Sequence, residues 1–380
     1  MKRWIPLLTA ALMSTTFAQS AIRLVFVDAK TPSAQVLEVQ EKKTIASFTV
    51  PGPAAGIYTT SGKHHAVLIH RNENRVTFIH SGLRLLDHGN HQDLIKTLPH
   101  VLQTLNVGRQ PTHFFSHEDQ MVIFNDQDGT NVLLNESQLG LSLDYQTVPA
   151  EIPDHGAPAL LGKHLLIGYL KLNRVDAFDL ESQKVVQQFP NCPALHGETR
   201  LNNTVAFGCS DGVLLISESK GQLSSQKISN PAGTPEGTRV GTVLSHPKAS
   251  TFFGNWGKGV VRIDPVNGLK PIALGSNYIK GNFSADGNLV LVLTADGVLH
   301  EILPEGTVQR QTRVVTPVDL TVAGAPRPSF AVHGHWAFIT DPSVGEIVQF
   351  DVQTGQVTER FKVGGTPTGI VALSAEGTEH

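Results

Sequence analysis

Cysteine is nearly missing from this chain of 380 residues: it has two, which excludes a disulfide-dense scaffold. Charge is also scarce. Asp, Glu, Lys and Arg together make up 17%, the formal net charge is −3, and no long basic run occurs. That balance argues against a partner bound through its phosphate backbone. The hydrophobic share of 40% is too high for a disordered chain. Long Ala/Glu/Lys/Leu segments are lacking, whereas 35 Gly and 22 Pro are present, so a helical architecture is set aside. No apolar run beyond the first segment is long enough to span a bilayer. The GxSxG elbow, the P-loop, the dinucleotide fingerprint and the C-x-x-C-H haem spacing are absent too. A globular protein with a large core remains. What it has in excess is histidine, 17 residues against 30 Lys plus Arg.

The first segment, MKRWIPLLTAALMSTTFAQS, is basic at Lys2 and Arg3, apolar from Trp4 to Met13 and closed by small residues. This is the form of a cleavable secretory signal, too short for a membrane anchor. Residues 1–20 are assigned to it and 21–380 to the mature domain, which then works in the periplasm, where thiols are oxidised. Cys192 and Cys209 flank what reads as two short strands around a polar turn at 201–203. A disulfide between them fits that compartment. The competing reading makes a thiolate a metal ligand, because Cys192 lies four residues before His196.

Along the mature chain, short β-rich runs such as HAVLIH, RVTFIH, MVIFND, GVLLIS and LVLVLT alternate with Gly, Asn and Asp turns. A weak repeat underlies them, with unit starts near Pro53, Pro111, Asp154, Ala194, Ser245, Gly281, Arg327 and Thr366. A period of roughly 45 residues suits a four-stranded propeller blade. The last unit has room for one strand, and the N-terminal segment supplies three. The fold expected is therefore all-β: a single eight-bladed β-propeller, closed by N-terminal strands pairing with the C-terminal strand. Seven blades is the nearest alternative. A pair of β-sandwiches competes less well, because its sheet edges would need separate protection.

In such a ring, residues that open successive units converge on one face although they lie far apart in sequence. His113, His155, His196 and His246 hold that position in four consecutive units. The segment LLDHGNHQDLIKTLPHVLQTL interrupts the β pattern and is long for a connection. It is expected to leave an outer strand at the same face, so that Asp87, His88 and His91 lean over the channel mouth. Imidazole and carboxylate groups gathered this way suit Zn²⁺. Glu198, Asp126, Asp211 and Asp296 are candidates for orienting the imidazoles. His64, His65, His164, His333 and His335 fall in turns on the opposite face and read as solvated residues, while His117 lies too far along its strand to share an ion with His113.

The ordered set DHGNH, PTHF, DHGAP, CPALHGE, VAFGCSDGV, GNWGKG and LTADGVLH is similar to the AztD family of periplasmic zinc metallochaperones, over roughly Pro53 to the C-terminus. The resemblance implies a β-propeller that binds zinc tightly and passes it to AztC, the solute-binding protein of a zinc ABC transporter. It carries the family's histidine motifs onto His88, His91, His113, His155, His196 and His246. GNWGKG departs from the pattern in having Trp256 where Tyr is expected, and HHAVLIH and HGHW match no family motif. The expectation is a non-catalytic, monomeric zinc store and donor that binds no nucleic acid and has no membrane span. The rivals are a metal-dependent propeller hydrolase of the lactonase type, and a protein-interaction scaffold with incidental histidines.

Overall fold

The alternation of β-branched runs and turn residues folds, in a computed structural model, into eight four-stranded antiparallel sheets and one two-stranded hairpin. Residues 19–89, 91–142 and 144–377 are described. Residues 1–18 lie outside them, and with them most of the expected signal segment; the first strand begins at Gln19. Blades 1 to 7 span 56–105, 111–149, 156–189, 198–229, 243–273, 278–313 and 330–362. Blade 8 is composite: Lys43–Thr49, Ser33–Glu38 and Gln19–Asp28 are completed by Pro367–Gly377 from the other end of the chain. The ring thus has eight blades and is closed as expected.

Each sheet buries both faces against its neighbours. Separate apolar clusters fill the interfaces, for example Phe124, Val148, Ile167 and Tyr169 between blades 2 and 3. Between blades 7 and 8 the cluster includes Leu24, Phe26, Phe338 and Ile370. Two-sided burial explains why the second and third strands read as unbroken apolar runs, such as buried Ala66–Ile69, rather than alternating ones. Outer strands such as Lys184–Phe189 face solvent along most of their length. Tight turns at several blade tips place Asn74, Asn173 and Asn202 at positive φ, which asparagine tolerates better than most residues. Among the described residues the only helix is one 3-10 turn, Glu136–Gln138. None is long and apolar enough to cross a membrane.

Cys192 and Cys209 are joined in a disulfide, which excludes the thiolate-ligand reading. The bridge lies in the core between blades 3 and 4 and braces the connection that carries His196. Its sequence separation of 17 corresponds to about 3 kcal/mol of stabilisation in the chain-entropy model. Cys192→Ser with Cys209→Ser is expected to lower the unfolding free energy by about that amount, read in urea melts extrapolated to water, with a larger m-value because the freed unfolded chain is more expanded.

Two placements differ from the sequence reading. Strands of a blade alternate in direction, so the end of the third strand lies opposite to the start of the inner one. The hairpin Leu83–Asp87/Gln92–Lys96 is inserted between the third strand of blade 1, Arg75–His80, and its outer strand, His100–Leu105. It therefore leaves from the bottom face. Ser81 N–H donates to the His64 carbonyl there at 2.9 Å, and Leu83 and Leu94 pack on Ala21 and Ala375. Asp87, His88 and His91 do not lean over the top mouth. His246 is also displaced: the inner strand of blade 5 is only Val243–Leu244, so His246 lies past its end rather than before its start.

Candidate metal centre

The inner strands of blades 2, 3 and 4 bring three of the expected histidines together at the top face. His113 lies on Pro111–His117, His155 immediately precedes Gly156–Leu161, and His196 precedes Glu198–Leu201. One ring nitrogen from each lies within 4.8 Å of the others. His113 Nε2 and His155 Nε2 are 3.1 Å apart, and the ring centroids of His155 and His196 are 5.1 Å apart.

The other nitrogen of each ring has its own partner. His155 Nδ1 is 2.8 Å from Asp126 Oδ2, and His196 Nδ1 is 2.7 Å from the Gly241 carbonyl. Carboxylate and carbonyl oxygens only accept, so both Nδ1 atoms carry the proton and both Nε2 atoms present lone pairs. His113 Nδ1 faces Glu198 Oε1 at 3.5 Å, which favours the same tautomer. Two Nε2 lone pairs at 3.1 Å repel unless a proton or a metal ion lies between them. Zinc bonded tetrahedrally at 2.0–2.1 Å sets its nitrogens about 3.3 Å apart, so small ring movements would close the site around it. The donor set fits Zn²⁺.

Electrostatics support the arrangement. Burial works to raise the Asp126 pKa, but the hydrogen bonds from His155 and Arg71 hold it below the ordinary carboxylate value. Burial works to depress His113, yet the charge and hydrogen bond of Glu198, with help from Asp126, raise its pKa above the ordinary imidazole value. His196 is pushed down by burial, against the pull of the Gly241 carbonyl. A cleft of about 460 Å³ lined by Arg71, Asp126, Asp154, His155 and Lys171 leads to the cluster.

Of the four carboxylates considered for orienting roles, Asp126 and Glu198 face cluster histidines. Asp211 pairs with Lys227, and Asp296 accepts from Thr294 Oγ1 at 2.6 Å; neither meets the cluster. His246 packs near Phe283 with ring centroids 6.1 Å apart, and its Nδ1 accepts from the Lys248 N–H at 3.2 Å. It borders the lower channel and does not join the three. His117 is likewise at the far end of its strand.

On the bottom hairpin, His88 and His91 stack with centroids 5.3 Å apart, and the turn is closed by His88 N–H donating to the His91 carbonyl at 3.0 Å. The carboxylate between them is Asp93, with Oδ2 3.0 Å from His88 Nε2 and Oδ1 3.1 Å from His91 Nε2. Asp87, the residue expected from sequence, instead accepts the Gly89 N–H at 2.7 Å. Two-residue alternation along a strand puts residues 91 and 93 on one face, a signal available once the segment is read as β. His65, His80 and His100 form a ladder beside the hairpin root, with successive ring centroids 5.0 and 5.2 Å apart. The pKa of His80 is pushed down by burial and neighbouring cations to about 4.

No protein-family model matches the chain. The zinc chaperone AztD of Citrobacter koseri is 26% identical over 379 residues, an alignment covering 95% of this chain and 88% of that protein. A crystal structure of Citrobacter koseri AztD superposes with a TM-score of 0.86 at 25% identity, covering 95% of this chain and all of that one. The dihydro-haem d1 dehydrogenase NirN shares the fold alone, with a TM-score of 0.63 at 14% identity over 92% of this chain and 74% of its own.

Proposed function

We propose that the protein is a periplasmic zinc carrier that takes Zn²⁺ onto His113, His155 and His196 and passes it to the solute-binding protein of a zinc ABC transporter. The observation that carries this reading is the convergence of one ring nitrogen from each of three histidines, with an acceptor facing the Nδ1 of each ring. Likeness to a zinc chaperone in sequence and fold supports it. Three protein ligands leave one of the four usual zinc positions to water or an incoming group. A side chain from the acceptor can enter by the cleft at His155 and exchange ligands one at a time, so the ion is never free. The hairpin cannot uncover this ion, because it lies on the other face. With His88, His91 and Asp93 it supplies a second, exposed zinc position.

Metal-stripped protein is expected to take up one zinc ion tightly and a second weakly in a chelator competition, and to deliver the first to a metal-free solute-binding protein. No uptake, or metal-dependent turnover of lactones or esters, would overturn the reading. The proton competes with zinc for each imidazole, so affinity falls as pH drops. Because the His113 pKa is raised, the fall begins above the ordinary imidazole value of about 6.5. In Glu198→Gln the onset moves to lower pH, while at pH 8, where the imidazoles are neutral, affinity is weaker by roughly 10–100-fold, as for other orienting carboxylates. Fluorescent-chelator titrations from pH 8 to pH 6 measure both effects.

A further inference from the structure

Below the three histidines the channel widens into a chamber of about 730 Å³ that opens on the bottom face. The volume is typical of small-molecule sites, roughly 300–1,000 Å³. Ile57, Phe115 and Val332, each partly exposed, contribute apolar wall. Hydroxyls come in two close pairs, Ser61 with Ser116 at 2.8 Å and Thr199 with Ser245 at 2.7 Å. The charges lining it are uneven. Lys280 enters from the inner strand of blade 6, Lys63 from the bottom turn of blade 1 and Arg200 from blade 4.

Against these stand two carboxylates. Glu198 faces His113 at 3.5 Å, and Glu118, its side chain 85% exposed, faces His117 at 3.7 Å. Arg200 is tied to the Asn202 and Leu160 carbonyls at 2.7 and 3.0 Å. Neither Lys63 nor Lys280 has a side-chain hydrogen bond or ion pair among the described residues. The remaining titratable groups on the wall, Tyr58, His117 and His246, add no negative charge at neutral pH. Both lysine side chains are exposed to the channel, and its three cations outnumber its two carboxylates, an excess that draws anions in.

We propose that this chamber binds a small organic anion with two or three carboxylates, which meet Lys280 and Lys63 while the carbon skeleton lies against Ile57, Phe115 and Val332. Depth within the ring depresses the Lys280 ammonium although the side chain meets channel water, and a bound carboxylate reverses that shift. The site is separate from the zinc ligands and does not depend on metal.

The test is calorimetric titration of metal-free protein with tricarballylate and, separately, inorganic phosphate. Tricarballylate is expected to bind. Lys280→Met is expected to weaken it by roughly 10-fold, the loss of one charge-assisted hydrogen bond. His155→Ala with His196→Ala leaves it unchanged, so failure of the zinc reading would not touch this result. No binding at millimolar tricarballylate, phosphate binding alone, or equal affinity in a folded Lys280→Met variant overturns the proposal. Should Lys280→Met not fold, NMR titration of ¹³C-labelled lysine in the native chain decides: the Lys280 pKa rises with ligand, or the assignment is wrong.

Discussion

Replacing His155 and His196 together by alanine is expected to remove tight zinc binding while leaving the fold intact. Zinc held by four good ligands is worth about 10–16 kcal/mol at neutral pH, or about 3 kcal/mol per ligand, so losing two costs roughly 10⁴-fold in affinity. Both residues precede inner strands rather than sit within them. Neither belongs to an apolar cluster, so the double variant should melt close to the parent. His88→Ala with His91→Ala is the contrast: it should remove only the weak, exposed position. Competition against a chelator of known affinity, with circular dichroism on the same samples, separates the two. Unchanged tight binding in His155→Ala/His196→Ala would falsify the assignment of the top-face site.

The second large effect concerns the hairpin. Arg23 is buried, and its Nε meets Glu38 Oε2 at 2.6 Å. Its Nη1 donates to the carbonyls of both Ser81 and Thr97 at 2.6 Å, which are the two ends of the insertion. One guanidinium therefore holds both hairpin roots to blade 8. Gly82 makes this approach possible: its φ is +76°, and a Cβ there would lie 2.4 Å from the Thr97 carbonyl oxygen. Arg23→Ala leaves Glu38 as a buried carboxylate without its cation, a change expected to cost about 3–5 kcal/mol. Limited proteolysis at Arg84 and Lys96 should become faster in the variant, and its denaturation midpoint should fall. A Glu38→Gln/Arg23→Met pair should recover much of the stability, because it removes both charges, but should not recover hairpin protection.

Much of this arrangement was legible in the chain. Successive strand–turn units marked blades 2, 3 and 4, and the phase shared by His113, His155 and His196 put them at one face. Asp126 and Glu198 are two of four carboxylates that read as orienting groups; Glu198, which lies two residues after His196, faces His113 instead, and Asp211 and Asp296 do not meet the cluster. Three features were not legible. The strand before His246 is two residues long, so nothing in the pattern marked where blade 5 begins, and a shift of a few residues moved His246 down the channel. The hairpin insertion reads alike whether it follows a third or a fourth strand, yet those alternatives end on opposite faces. The Gly241 carbonyl that orients His196 is a backbone atom and leaves no trace in residue type.

The composite blade has a kinetic meaning. Its joint pairs the strand Gln19–Asp28 with Pro367–Gly377, and Asp28 accepts from the Thr366 N–H across a separation of 338 residues. Contacts this distant must wait for almost the whole chain, and they make folding slow. Blades 2 to 4 can assemble locally, and with them the three-histidine cluster, but the ring stays open until the last strand is in place. Removing the final dozen residues would therefore do more than trim an edge. It would leave blades 7 and 1 facing an unfilled gap, and a long-lived open ring exposes strand edges to other chains.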